Sequence, residues 1–182
     1  MKSVAELLTF GHGTATADEI TDLLHGADVH GLVDVRTAPG SRRNPQVARS
    51  ELERWLPERG IGYRWEKRLG GWRKAWPDTP DVALRNRAFT GYAAHMRSTQ
   101  FRAAVDELLR EAATARTAIM CAESVWWRCH RQMVADFLVL ARETTVLHLM
   151  HDGRLQRHTG SNLARLRDDG LLVYDAGQAP LT

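Results

Sequence analysis

No apolar run in the 182 residues approaches the roughly 20 that a bilayer span requires. The opening Met1-Lys2-Ser3-Val4-Ala5-Glu6 puts an acid where a secretory signal needs an apolar core. No membrane partner is therefore expected, and a cytoplasmic location is. Cysteine is nearly absent, with Cys121 and Cys129 alone. A lone pair separated by seven residues in an intracellular chain is more often reduced, reactive or metal-bound than a structural disulfide. There is no Cys-x-x-Cys spacing, which weakens a metal site built from Cys121, Cys129, His130 and His12; no metal is expected, and the sequence leaves any cofactor open. Lysine is scarce too: 3 of the 25 basic residues are lysine and the other 22 arginine. No helix-turn-helix or other nucleic-acid signature is evident.

What is present is a globular composition, 43% apolar, long enough for one domain with a full core. The net charge is only +3, but it is uneven: Arg36 to Arg73 carries ten Lys or Arg against four Glu, a local balance of +6. Arginine suits bidentate contact with phosphate or carboxylate. The competing explanation for any one arginine is a solvated face in an Ala- and Arg-rich chain.

In chain order, Val4 to Phe10 reads as a strand ending in Gly11-His12-Gly13-Thr14. His12 there either meets a ligand or only fills a tight turn. Thr16-Ala17-Asp18-Glu19 is a capping box opening a first helix over Ile20, Leu23 and Leu24. Gly31 to Arg36 is a second buried strand, in which Asp34 reads as a buried partner for Arg36 or a backbone donor. It is followed by Thr37-Ala38-Pro39-Gly40-Ser41-Arg42-Arg43-Asn44-Pro45, a rigid loop suited to binding or simply a structural turn. Ser50-Glu51-Leu52-Glu53 reads as a second capping box, opening a helix that stops around Pro57 to Gly60. Ile61 to Trp65 is a third strand. Residues 66–88 show no period and are expected to form an irregular loop or lid, its Trp72 and Trp76 stacking on a ring or covering the edge of the core. Phe89 to Met96 predicts a short helix, and the apolar face of Phe101, Ala104, Val105, Leu108, Leu109 and Ala112 predicts a longer one. Val146 to Met150 is a strand; beyond it, Asn162 to Leu166 predicts a short helix and Leu171 to Tyr174 an edge strand.

The stretch Thr117 to Arg131 concentrates the chemistry: a short strand, a turn, then Met133, Val134, Phe137, Leu138 and Ala141 at helical spacing. Such a junction turns free backbone N–H groups and the positive end of a helix dipole toward the loop. Arg128 and Arg131 stand at that helix start, against the dipole, so each calls for a partner, an internal carboxylate or a bound anion. Glu123 is read as a cap for the following helix or a partner of Arg36 or Arg128. His95 and His148 read as packing residues, and His151 as a candidate for the site because it ends a strand. Either cysteine also fits a small core hydrophobe. Strands alternating with helices predict an α/β fold, a single domain with a mostly parallel sheet flanked by helices on both faces.

Phe10-Gly11-His12-Gly13-Thr14, Asp34-Val35-Arg36 with Pro39, Ser41-Arg42-Arg43-Asn44-Pro45, Leu69-Gly70-Gly71, Phe89 with Gly91-Tyr92-Ala93, Cys121-Ala122-Glu123 and Arg128-Cys129-His130-Arg131 resemble the bacterial and archaeal family called domain of unknown function 488. The resemblance runs in order over nearly the whole chain. It implies a small α/β domain with a shared polar site, and it brings no settled reaction with it. One departure is Trp126, where relatives often have proline.

The expected site is an arginine- and cysteine-lined pocket at the carboxyl edge of the sheet. Its ligand-binding residues are His12, Arg36, Arg42, Arg43, Arg128 and Arg131, and the expected ligand is anionic, a phosphate-bearing nucleotide or nucleic acid. The alternative is an enzyme with Cys121 or Cys129 as nucleophile, Cys121 being favoured because it ends a strand before a loop that reaches Arg128 and a helix start, and Glu123 or His130 as acid or base, in phosphoryl- or sulfur-transfer-like chemistry. The six-residue gap from Cys121 to Arg128 is close to that of phosphate-cradling loops, but Val125, Trp126 and Trp127 are bulky where such loops are small.

Overall fold

A computed structural model describes residues 5–177. Val4, expected to begin the first strand, and the rest of the Met1–Val4 start lie outside them. The elements are β1 (Glu6–Gly11), α1 (Ala17–Gly26), β2 (Gly31–Asp34), α2 (Arg49–Glu58), β3 (Gly62–Trp65), α3 (Arg87–Met96), α4 (Thr99–Thr114), β4 (Thr117–Cys121), α5 (Arg131–Arg142), β5 (Thr145–Leu149), β6 (Leu155–Arg157), β7 (Arg165–Leu166) and β8 (Leu172–Val173). The protein is α/β: a six-stranded sheet in the order β3-β2-β4-β1-β5-β6, parallel except for the edge strand β6, plus a small β7-β8 hairpin. No helix among the described residues is long and apolar enough to cross a membrane.

The strands are short and apolar because both sheet faces are covered. Alternation along each strand splits the core in two. Leu8, Phe10, Ala118 and Met120 pack with Ile20, Leu24, Leu52, Trp55 and Leu56 of α1 and α2. Leu7, Ile119, Cys121 and Val146 pack on the opposite face with Tyr92, Met96, Phe101, Val105, Val134 and Phe137 of α3, α4 and α5. The period of two thus turns Cys121 toward α5.

Local signals explain most boundaries. The first capping box forms as expected: Glu19 N–H donates to Thr16 Oγ1 at 3.2 Å and Thr16 N–H to Glu19 Oε2 at 2.8 Å. The second does not. α2 begins at Arg49 with Ala48 as an uncapped N-terminus, which puts Ser50 inside the helix, and Glu53 pairs with Arg49 at 2.7 Å instead of reaching back to a cap. The chain between Gly70 and Asn86 has no helix or strand. The helix expected over Asn162–Leu166 is absent: Arg165 and Leu166 form β7, paired with β8 through a turn that closes at Asp169-Gly170, where Gly170 has φ +79°. Asp-Gly between apolar pairs is a hairpin signal that outweighs the weak helical period.

Adjacent parallel strands β1 and β4 lead into helices on opposite faces, α1 and α5. The loops after them separate and open a crevice at the carboxyl ends of the strands, as in other open α/β sheets.

Candidate functional site

That crevice holds a cavity of about 780 Å³. Its walls are the loops after β1 (His12 to Thr14), β2 (Arg36 to Asn44) and β4 (Cys121 to His130), with Gly71, Trp72 and Phe89 on the remaining side. Nine of the ten expected site residues line it: His12, Arg36, Arg42, Arg43, Cys121, Glu123, Arg128, Cys129 and His130. Arg131 does not; it lies beneath the floor, 1% exposed.

Arg36 is built into the wall. Its Nε donates to Asp34 Oδ1 at 2.9 Å, and its Nη2 to Asp34 Oδ2 and the Val47 carbonyl at 2.7 and 2.8 Å. Tyr63 O–H donates to the same carboxylate at 2.6 Å. Burial, then the Asp34 carboxylate, pushes the Tyr63 hydroxyl pKa up, so it stays a donor. Asp34 is thus the buried partner of Arg36. Of the five guanidinium donors, the two on Nη1 remain: one faces His12 Nε2 at 3.3 Å, and the other has no partner among the described residues.

His12 Nδ1 donates to the Gly13 carbonyl at 2.8 Å, which leaves Nε2 as the acceptor facing Arg36. Burial lowers its pKa, and the Arg36 and Arg131 charges add to that. The ring is a neutral wall group whose free lone pair is already taken. Among the described residues no group of three or more His, Cys, Asp or Glu is arranged to hold a metal ion.

Arg42, Arg43 and Arg128 differ from Arg36. All three are exposed, and among the described residues none makes an ion pair with a carboxylate, whereas Arg64, Arg68 and Arg97 each have one. Glu123 pairs with neither Arg36 nor Arg128; its Oε1 instead accepts the Val125 N–H at 3.4 Å within its own loop. Trp72 stands on the rim, 78% exposed, tethered by its N–H to Thr37 Oγ1 at 3.0 Å.

The β4-to-α5 loop does not curl its amides around the cavity. Residues Trp126–Arg128 form a 3-10 turn, in which Arg128 N–H and Cys129 N–H donate to the Val125 and Trp126 carbonyls. The bulky Val125, Trp126 and Trp127 therefore fold into a turn of their own, and charge in the cavity is met by side chains rather than backbone.

Both sulfurs lie at the floor, buried to 2% and 6% exposure. Cys129 precedes α5 and accepts the Arg131 N–H at 3.5 Å, while Arg131 Nε donates to Cys121 Sγ at 2.9 Å. His130 Nε2 donates to the Val35 carbonyl at 2.9 Å, which presents Nδ1 to Cys129 Sγ at 3.5 Å. The neighbouring Cys121 sulfur, then His130 and Arg131, holds the Cys129 thiol well below its usual range; burial pushes the Cys121 thiol up, and the Cys121 S–H donates to the Glu123 carbonyl at 3.7 Å. His130 is wedged in place: an added Cβ on Gly71 would fall 2.6 Å from its Nδ1.

His95 packs among Tyr92 and Phe101 as expected. His151 does not join the cavity; its Nε2 donates to the Gly11 carbonyl at 2.5 Å. His148 is more than packing, and with Thr9, His158 and Asp136 it forms a buried polar chain that sequence reading missed. The available signal was a single polar residue inside two apolar runs, Thr9 in Leu7-Leu8-Thr9-Phe10 and His148 in Val146-Leu147-His148-Leu149.

No curated protein and no solved structure matches the chain. A family model does match, over residues 16–138, a span holding every cavity residue named above except those of the loop after β1, His12 to Thr14, and the chain accordingly belongs to the family described as domain of unknown function DUF488.

Proposed function

We propose that the cavity binds an anionic, phosphate-bearing ligand, a nucleotide either free or as a unit of a nucleic-acid strand. One observation carries this reading: Arg42, Arg43 and Arg128 line one cavity, and none has a carboxylate partner among the described residues. Three exposed guanidinium groups lose little by leaving water for a phosphate, which takes them bidentately. Exposed Trp72 on the same rim offers a stacking face for a base. The volume lies within the range of small-molecule sites, about 300 to 1,000 Å³.

The test is fluorescence anisotropy of a labelled single-stranded oligonucleotide, competed with mononucleotides, across a range of salt. Three phosphate contacts on a single strand give a log–log slope near −2. Arg42→Ala, Arg43→Ala and Arg128→Ala should each flatten that slope by roughly 0.7 to 1. Binding that is absent, or indifferent to salt and to these substitutions, refutes the reading.

The buried sulfur pair favours a second reading, a cysteine-nucleophile enzyme of phosphoryl- or sulfur-transfer type. Cys129, at the start of α5 and beside His130, is the better-activated sulfur, and its thiolate opens onto the cavity that holds the arginines. Alkylation that is fast well below the free-thiol pKa of about 8.5, and lost in Cys129→Ser, supports it; inert thiols remove it.

A further inference from the structure

Arg131 is a fully buried cation, and among the described residues no carboxylate touches it. Its contacts are Cys121 Sγ at 2.9 Å, Thr9 Oγ1 at 3.1 Å and the Glu123 carbonyl at 2.6 Å. A buried charge needs a compensating one. The one group in direct contact that can be anionic is the sulfur pair.

From Thr9 a continuous chain of buried hydrogen bonds leads away from the cavity. Thr9 and His148 are register partners on β1 and β5, and the period of two puts both on the α5 face. Thr9 Oγ1 meets His148 Nδ1 at 2.6 Å, His148 Nε2 meets His158 Nδ1 at 2.9 Å, and His158 Nε2 meets Asp136 Oδ1 at 2.7 Å. Asp136 also accepts Ser161 N–H at 2.8 Å and Tyr174 O–H at 2.7 Å. Trp126 stacks on His148 with centroids 4.2 Å apart and planes 4° from parallel, covering the chain from the loop that carries the cysteines.

The chain has one consistent polarity. Arginine only donates, so Thr9 Oγ1 accepts from it and has its own proton left for His148 Nδ1. Asp136, receiving three donors, is the acceptor at the far end, so His158 donates from Nε2 and accepts at Nδ1 from His148 Nε2. Both rings are then neutral and protonated on Nε2. Burial above all holds the His148 pKa down at about 3, in keeping with that state.

We propose that Arg131 is the counterion of a thiolate shared by Cys121 and Cys129, and that Thr9, His148, His158 and Asp136 are positioning residues that aim its guanidinium at Cys121 Sγ, while its backbone N–H meets Cys129 Sγ. This deepens the cysteine reading and leaves the anion reading untouched whichever way it falls. The other titratable or charged groups around the pair are His12 after β1, Arg36 after β2, Tyr92 on α3, Glu123 in the loop and His130 before α5. None of these groups is altered by a change at Thr9.

The experiment is the pH profile of iodoacetamide alkylation, with ultraviolet thiolate absorbance, in the full chain. Thr9→Val removes the hydroxyl at constant shape, freeing Arg131 Nη1; Thr9→Ser keeps it. Folding is checked by circular dichroism. Wild type should alkylate well below the free-thiol pKa, Thr9→Val about tenfold more slowly at a fixed acidic pH, and Thr9→Ser within about twofold of wild type. A folded Thr9→Val with the wild-type profile overturns the positioning role alone; a wild type without a low-pH thiolate overturns the counterion and the cysteine reading together. Should Thr9→Val not fold, nitrogen NMR of wild type decides. Nε2–H tautomers at both His148 and His158 uphold the chain, whereas an Nδ1–H tautomer or an imidazolium at either overturns it.

Discussion

Gly71→Ala perturbs the site through a single contact. Gly71 faces the His130 ring, and the new Cβ would stand 2.6 Å from Nδ1 and 2.9 Å from Cγ, well inside contact distance. The ring has little room to yield: Nε2 is bonded to the Val35 carbonyl at 2.9 Å, and one face meets Tyr92 with centroids 5.1 Å apart. Forcing a methyl into such packing costs about 1 to 3 kcal/mol. If the ring swings away instead, it gives up one hydrogen bond, about 0.5 to 1.5 kcal/mol, and a relaxed rotamer, a similar amount. The backbone of Gly71 is not in the left-handed region, so Ala also stabilises by about 0.4 to 1 kcal/mol through the unfolded chain. The net is a loss of about 1 to 2 kcal/mol, or roughly 3 to 6 °C in Tm for a chain of this size. Gly40→Ala is the matched control, since a Cβ there meets nothing within 4 Å; it should leave Tm unchanged or slightly raised. The same displacement takes His130 Nδ1 off Cys129, so Gly71→Ala should also shift the alkylation profile. Paired thermal melts and alkylation titrations check both. A Gly71→Ala protein that melts and alkylates like wild type refutes the wedge.

Two further outcomes follow from buried charge. Asp34→Asn keeps the shape but leaves the Arg36 guanidinium buried without its carboxylate, so urea unfolding should show a loss of about 3 to 5 kcal/mol; Tyr63→Phe, which removes one bond to that carboxylate, should cost only about 1.5 to 3 kcal/mol. The pH dependence of stability should carry the mark of His148. Its folded pKa, about 3, lies below the unfolded value of 6.5, so between these values the unfolded chain binds the extra proton. Stability is therefore unaffected by this group above pH 6.5 and falls as the pH drops toward 3, by a few kcal/mol in all. Denaturant midpoints across that window should decline in wild type and decline less in His148→Gln; equal slopes contradict the assignment.

The sheet and its cavity were legible because strand periodicity and turn residues are local signals. His12, Arg36, Arg42, Arg43, Cys121 and Arg128 all follow strands β1, β2 and β4, and a parallel sheet gathers such loops on one edge. Asp34 was readable as the partner of Arg36 because only Val35 separates them. What the sequence left hidden depends on distant pairing. Thr9, His148, His158 and Asp136 meet only through strand register and helix docking, and no spacing in the chain announces them. Arg131 was expected to meet an internal carboxylate or a bound anion; it donates instead to Cys121 Sγ, Thr9 Oγ1 and the Glu123 carbonyl, and its neighbours in sequence gave no sign that it points beneath the cavity rather than into it. The hairpin at the end was misjudged because Asp169-Gly170 was not given its weight as a turn.

The account rests on unpaired arginines around one cavity, and nuclear magnetic resonance of a uniformly labelled protein titrated with a mononucleotide tests that most directly. The arginine side-chain resonances of Arg42, Arg43 and Arg128, with the Trp72 indole, should move together and saturate, while the internally paired Arg64 and Arg97 stay still. Saturating shifts confined to another face of the protein, or no shift at millimolar nucleotide, contradict it.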